Sequence, residues 1–229
     1  LQTHSQDKIE NLARSISNGG LVAGTQVWTD QGLKPIEAIE VGDMVLSKPE
    51  NGDGGQQYKR VVKTFVHEAK EILELRVKVG EKTKVIYPTA NHPFWVVEEK
   101  EEWRELANGE LVSSSTFTEI GWLPADELIR YKHHVQLSDG SLAMVSAILP
   151  VYCTKEQGVG FIPLLQDPNR HDYGNLTDFN RGRKFIPGEY DPTEDDWDDD
   201  DPYLKVRVYN FEVEDFHTYF VDCGVWVHM

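Results

Sequence analysis

GLVAGTQVWTDQGLKPIEAIEVGDMVLS, residues 20 to 47, sets the architecture of the chain. Leu21, Val22, Val27 and Trp28 read as strand, and Asp30-Gln31-Gly32 as a turn in which glycine supplies a positive φ. A second strand pair follows, in which Ile36 and Ile39 lead into the turn Val41-Gly42-Asp43 and Met44-Val45-Leu46 then resumes the apolar run. Short strands, tight glycine turns and little helical periodicity predict a mostly β domain whose first strand starts inside its core.

Upstream, Ile9, Leu12, Ala13 and Ile16 lie on one face of a helix expected over residues 6–18. Ser5 caps its start and Asn18-Gly19-Gly20 ends it. Residues 1–19 therefore read as a flanking segment and 20–229 as the domain.

Downstream, Lys48 to Gln57 reads as a loop. Two strand segments follow, joined by a short Ala69-Lys70-Glu71 turn. In the second, Leu73, Leu75, Val77 and Val79 alternate strictly, so one face is turned to a core. Thr89-Ala90-Asn91-His92-Pro93-Phe94 comes where a strand ends. It reads either as an ordinary turn histidine or as a donor held rigidly enough to polarise a reacting amide. Residues 98–120 are charged and then Ser/Thr-rich, as in an exposed hairpin or loop.

Gly121-Trp122-Leu123-Pro124-Ala125-Asp126-Glu127-Leu128 then echoes Gly32-Leu33-Lys34-Pro35-Ile36-Glu37-Ala38-Ile39, 89 residues earlier. Both copies run into a short apolar segment and then a further strand. This order predicts two related β halves about a pseudo-two-fold axis. From about 153 to 203 the pattern dissolves and reads as an acidic loop insertion. It resumes as Leu204, Val206 and Val208, then Thr218 to Val221, with Asp222-Cys223-Gly224 turning into Val225 to His228.

Composition narrows the function. The net charge is −16, but Glu189 to Pro202 holds nine carboxylates, and removing them leaves −7 for the rest. That remainder has no basic stripe for nucleic acid. The acidic run lacks the spacing and turn glycine of a compact calcium loop and reads as a solvated segment. No apolar run reaches the ~18 residues of a membrane helix. Cys153 and Cys223 are too few for a disulfide framework or a four-thiolate site, so no cofactor or metal is expected. A chain opening on Leu1 and closing on Met229 reads as excised from something longer, with no oligomer implied.

Gly20-Leu21-Val22-Ala23-Gly24-Thr25, then IEAIEVGDMVLS, TANHPF and YNFEVEDFHTYFVDCGVWVH, in that order, resemble the blocks of the Hedgehog/intein (Hint) family, and among its branches the pretoxin Hint domain of bacterial polymorphic toxins. The resemblance covers residues 20–152 and 204–229. It implies an all-β, horseshoe-shaped fold with pseudo-two-fold symmetry that brings both ends of the domain into one site. It also implies self-directed chemistry. A Cys or Ser at the first position attacks the preceding carbonyl, and a terminal Asn cyclises to release the downstream segment, in pretoxins the toxin.

By the same resemblance Thr89 and His92 match the family's T-x-x-H pair, His92 protonating or polarising the amide between residues 19 and 20. His217 activates the terminal amide, and His228 donates to the oxyanion at residue 229. Both reacting groups are missing: Gly20 stands at the nucleophile position and Met229 at the Asn position. The resemblance therefore implies an inactive relative or a trapped form, cleavable again after Gly20→Cys and Met229→Asn. Its partners would be its own flanking segments, within a bacterial protein that is exported or secreted. Two other readings stay open. One is a non-catalytic scaffold whose acidic insertion contacts a basic partner, and the other a zinc site drawn from His92, His217, His228 and Cys223. Cys223 is also a candidate substitute nucleophile.

Overall fold

The computed structural model describes residues 19–163, 174–190 and 201–229. The helix expected over residues 6–18 and the densest part of the acidic run lie outside them. Seventeen strands are present among the described residues. In chain order they are β1 (Leu21–Val22), β2 (Gln26–Thr29), β3 (Gly32–Pro35), β4 (Met44–Ser47), β5 (Gln57–Glu71), β6 (Leu73–Val79), β7 (Lys82–Ile86), β8 (Pro93–Glu105), β9 (Leu111–Pro124), β10 (His133–Gln136), β11 (Leu142–Pro150), β12 (Val159–Pro163), β13 (Gly174–Asp178), β14 (Lys184–Tyr190), β15 (Lys205–Val213), β16 (Thr218–Val221) and β17 (Val225–His228).

All but three of these belong to one continuous sheet system. It runs β1-β15-β5-β4-β2-β16-β17-β8-β10-β11-β6-β7, with β3 on β2 and β9 on β8. Two of the last strands of the chain, β15 and β16, thus pair with two of the first, β1 and β2, and β17 joins β16 to β8. The expected all-β fold and its internal symmetry are present. Pro35 and Pro124 each precede a single 3₁₀ turn, Ile36–Ala38 and Ala125–Glu127, closed by Ile39 N to Ile36 O and by Leu128 N to Ala125 O. The same 89-residue offset relates β4 to β10. Each turn buries its first residue, Ile36 or Ala125, because proline fixes the entry and the following chain must leave the sheet.

The local readings needed three changes. Ile36 to Ala38 forms a 3₁₀ turn rather than strand. β5 continues through Ala69-Lys70-Glu71, because it pairs with β15 along this length. The residue with positive φ there, Ala69 at 53°, marks a bulge where the register shifts, and β5 and β6 do not pair with each other. Within the segment read as a loop insertion, β12, β13 and β14 form a three-stranded antiparallel sheet. Their strands are short and rich in Gly, Asn and Pro, so neither alternation nor length betrayed them.

Three apolar clusters hold these parts together. The main one includes Leu21, Val27, Val45, Leu75, Phe94 and Val135, with Tyr219, Val221 and Val227 from the end of the chain. A second joins the small sheet to the large one through Ile162 and Phe179 against Tyr87, Leu149, Leu204 and Val208. The third is aromatic, with Trp95, Phe220 and Trp226 under Trp28 and Trp122. Arg183 adds a polar tie from the small sheet. Its guanidinium donates to Gly24 O at 2.7 Å and to Asp222 Oδ2 at 3.1 Å, while Asp222 Oδ1 accepts Gln26 N. A left-handed φ of 63° aims Arg183 at this junction.

Candidate functional site

The residues named from the resemblance lie at two junctions, and the fold builds each from distant parts of the chain. At the first, Gly20 leads into β1, which pairs with β15 through Leu21↔Tyr209 and Val22↔Val208. Gly20 N donates to Thr89 Oγ1 at 3.0 Å, and Thr89 N donates back to Gly20 O at 2.9 Å. The carbonyl of Gly19 accepts from Asn210 Nδ2 at 3.2 Å. Both polar atoms of the peptide bond between residues 19 and 20 are thereby held by buried side chains, Thr89 on the N–H and Asn210 on the C=O.

Asn210 was not singled out in the sequence. It is 2 % exposed on β15, and its Oδ1 accepts Phe211 N and the Tyr219 hydroxyl, both at 2.9 Å. An amide oriented by two donors can present its NH₂ to one fixed carbonyl. The available signal was a lone Asn between Tyr209 and Phe211 in a strand whose other buried residues, Val208, Phe211 and Val213, are apolar. Burial drives the Tyr219 hydroxyl far above its ordinary range, which keeps it a donor.

His92 closes the turn that begins at Thr89, with its backbone N–H on Thr89 O at 3.1 Å. The ring is fully buried against Phe94 and Tyr219, at centroid distances of 5.7 and 6.5 Å. Neither ring nitrogen has a hydrogen-bond partner among the described residues. Burial first, and then the neighbouring His228 charge, push its pKa down to about 3, so the ring is neutral near pH 7.

The second junction lies at the end of β17. Met229 N donates to His217 O at 3.0 Å, across from the Thr218↔His228 pair of the β16–β17 hairpin. His217 adopts a left-handed φ of 57°, and its Nδ1 is buried without a hydrogen-bond partner among the described residues. His228 is fully buried beneath the edge of Trp122, with Nδ1 3.2 Å from Met229 O and Nε2 3.0 Å from Glu50 Oε2. Both ring nitrogens therefore face oxygen acceptors. A singly protonated ring donates to one of them, and a doubly protonated ring donates to both.

Glu50 also escaped the sequence reading, because it sits in the Lys48 to Gln57 loop. Tertiary contacts fix that loop: Trp122 Nε1 donates to Glu50 O at 2.8 Å, Ser47 Oγ to Thr218 O at 2.6 Å, and Thr218 Oγ1 to Lys48 O. The hydrogen bond from His228 is the main influence holding the Glu50 carboxyl below its usual range, against the opposing effect of burial. Glu50 thus carries the negative charge that faces His228.

The vacated positions differ in character. A Cβ on Gly20 would lie 2.8 Å from Val208 Cγ2 and 3.0 Å from the backbone oxygen of Tyr209. Contacts this short force a neighbour to move, so simple Gly20→Cys replacement does not slot into the structure. Met229 is partly buried against the main core. Cys223 sits in the turn at the other end of the β16–β17 hairpin from His228, away from both junctions, and burial raises its thiol pKa. Among the described residues no group of three or more His, Cys, Asp or Glu side chains is placed to hold a metal ion.

Residues 26–121 match the family model of the pretoxin HINT domain. Among solved structures, a bacterial intein-like domain from Clostridium thermocellum is similar at 25% identity with a TM-score of 0.52, over 92% of this chain and 98% of that one. A DnaB intein from Synechocystis sp. PCC 6803 shares the fold at 14% identity and a TM-score of 0.52, over 92% and 98% of the two chains. No curated protein matches the chain.

Proposed function

We propose that this chain, a Hint domain of intein-like fold, is the autoprocessing module of a larger exported bacterial protein, in a form that grips its own junctions without cutting them. The observation that carries this reading is the peptide bond between residues 19 and 20, held at its N–H by Thr89 and at its C=O by Asn210. A donor on the carbonyl stabilises the oxygen as it gains charge, and an acceptor on the N–H fixes the plane of the amide. Those are the needs of an acyl shift at that bond. A neutral His92, beside the same turn, supplies the proton-transfer group.

At the far junction, His228 with Glu50 behind it donates toward the carbonyl of residue 229, and His217 holds the N–H of that residue. In a chain continuing past 229 this carbonyl belongs to the next peptide bond. An Asn at 229 would place its amide nitrogen to attack that carbonyl carbon, closing a succinimide and expelling the downstream amine, which takes up a proton. The Met229 thioether cannot do this. Gly20 likewise offers no nucleophile, and the space for one is occupied. The cargo of such a module is a downstream toxin, and export follows from that role.

The test exploits the difference between the junctions. Met229→Asn followed by a short peptide should release that peptide, seen as a mass loss on incubation, whereas Gly20→Cys alone should leave the upstream segment attached. Release that persists in His228→Ala, or no release from a folded Met229→Asn chain, refutes the reading.

A further inference from the structure

The hairpin of β8 and β9 extends well beyond the sheet that roots it. β10 pairs with β8 only over Val96 to Glu98, while β8 and β9 continue together to Glu105↔Leu111. Beyond Glu98 the arm is a two-stranded ribbon among the described residues, and β9 pairs with β8 alone. Its outer edge is thus a row of backbone donors and acceptors open to another strand. Such edges are ordinarily guarded by lysine, proline or a covering element. Leu111 to Leu123 contains no Lys, Arg or Pro.

The register sorts the arm's side chains into two unlike faces, because directly opposed residues in an antiparallel pair point the same way. Glu99↔Phe117, Glu101↔Ser115, Trp103↔Ser113 and Glu105↔Leu111 share one face, along with Glu119 opposite Val97. That face holds four carboxylates and no Lys or Arg. It also exposes three large apolar side chains: Trp103 at 62 %, Leu111 at 63 % and Phe117 at 52 %. The opposite face alternates signs through Glu98, Lys100, Glu102 and Arg104, with pairs at Lys100–Glu102 (3.0 Å) and Lys132–Glu98 (2.6 Å). On the first face, Glu99 lies 3.4 Å from His134 Nε2.

We infer that this arm is a docking site for an extended segment of a partner protein whose every second residue faces the arm, those residues being basic and apolar in turn. The segment adds as a third strand on the free edge of β9, with its basic side chains over Glu101 and Glu105 and its apolar ones beside Trp103, Leu111 and Phe117. An isolated two-stranded ribbon is only marginally stable in water, so a third strand also steadies the arm. The charge pattern disfavours a second copy of the chain, since each copy carries −16 and would bring acidic faces together. The inference is independent of whether the junctions are cleaved.

The test uses the whole chain and a labelled peptide of repeating Lys-Thr-Val-Thr, which sets Lys and Val in turn on one face of a strand, read by fluorescence anisotropy. Binding should weaken with salt, and it should fall about tenfold or more in Glu101→Lys/Glu105→Lys and in Trp103→Ala/Phe117→Ala, which alter exposed positions only. The same peptide N-methylated on alternate amides, unable to join a sheet edge, should lose binding. Circular dichroism of each variant establishes that the fold persists. No binding overturns the inference. So does equal binding of a Glu-Thr-Val-Thr peptide or the N-methylated peptide, or binding that survives charge reversal on the arm, which would assign it to the acidic run instead. A dimer in sedimentation that excludes the peptide would assign the edge to self-association.

Discussion

Acid should loosen this fold through a single buried imidazole. In the folded chain His92 resists protonation until pH falls to about 3, whereas the unfolded chain takes up that proton near 6.5. Protons therefore favour the unfolded state between those values: the contribution of His92 is intact above 6.5 and is lost as pH falls toward 3. Each pH unit in that window costs about 1.4 kcal/mol, or roughly 5 kcal/mol across the whole of it. That is comparable with the entire stability of many domains, ~5–15 kcal/mol. Urea unfolding followed by tryptophan fluorescence measures it, and His92→Phe supplies the reference, since a phenyl ring keeps the contacts with Phe94 and Tyr219 without titrating. Burial also lowers the His67, His133 and His134 pKa values, but their effect is common to both proteins and cancels in the difference. Between neutral pH and about pH 4.5 the stability of the native chain relative to His92→Phe should drop by about 2–3 kcal/mol. A difference that stays constant with pH would refute the neutral, solvent-excluded His92.

Three other perturbations probe the junctions. Gly20→Ala should destabilise the chain by roughly 1–3 kcal/mol, because its Cβ meets Val208 and the Tyr209 carbonyl; adding Val208→Ala should recover part of that loss in the same urea titration. Asn210→Ala removes the partner of Gly19 O, Phe211 N and the Tyr219 hydroxyl together, and should cost about 2–4 kcal/mol, with faster hydrogen exchange at Phe211. Arg183→Ala unties the small sheet from Gly24 and Asp222. A loss of about 1–3 kcal/mol is expected, with increased exchange at Gln26, whose N–H bonds to the same carboxylate.

Much of this was legible in the chain because it is local or periodic. The G-x-x-P echo became a pair of matching 3₁₀ turns since proline, glycine and one buried aliphatic residue dictate that geometry within eight residues. Thr89, His92, His217 and His228 were legible because motif spacing places them at strand ends, and the structure gathers them at the two junctions. Asn210 and Glu50 were not, for a common reason. Each acts on a group far away in sequence, 191 and 178 residues respectively. An Asn in a strand and a Glu in a loop are ordinary until the partner is known. The sheet of β12 to β14 was hidden because its strands gain their burial from the second apolar cluster rather than from their own alternation.

By itself the sequence determined an all-β chain of two related halves, and the absence of a side-chain nucleophile at residue 20 and of a cyclising amide at residue 229. Tertiary structure alone decided that one peptide bond is gripped from both sides, that a loop glutamate faces the penultimate histidine, and that the space beside Gly20 is already filled. Composition and spacing act through covalent neighbours and strand periodicity. Hydrogen-bond partners, desolvation and steric room arise only when segments nearly two hundred residues apart are packed against one another.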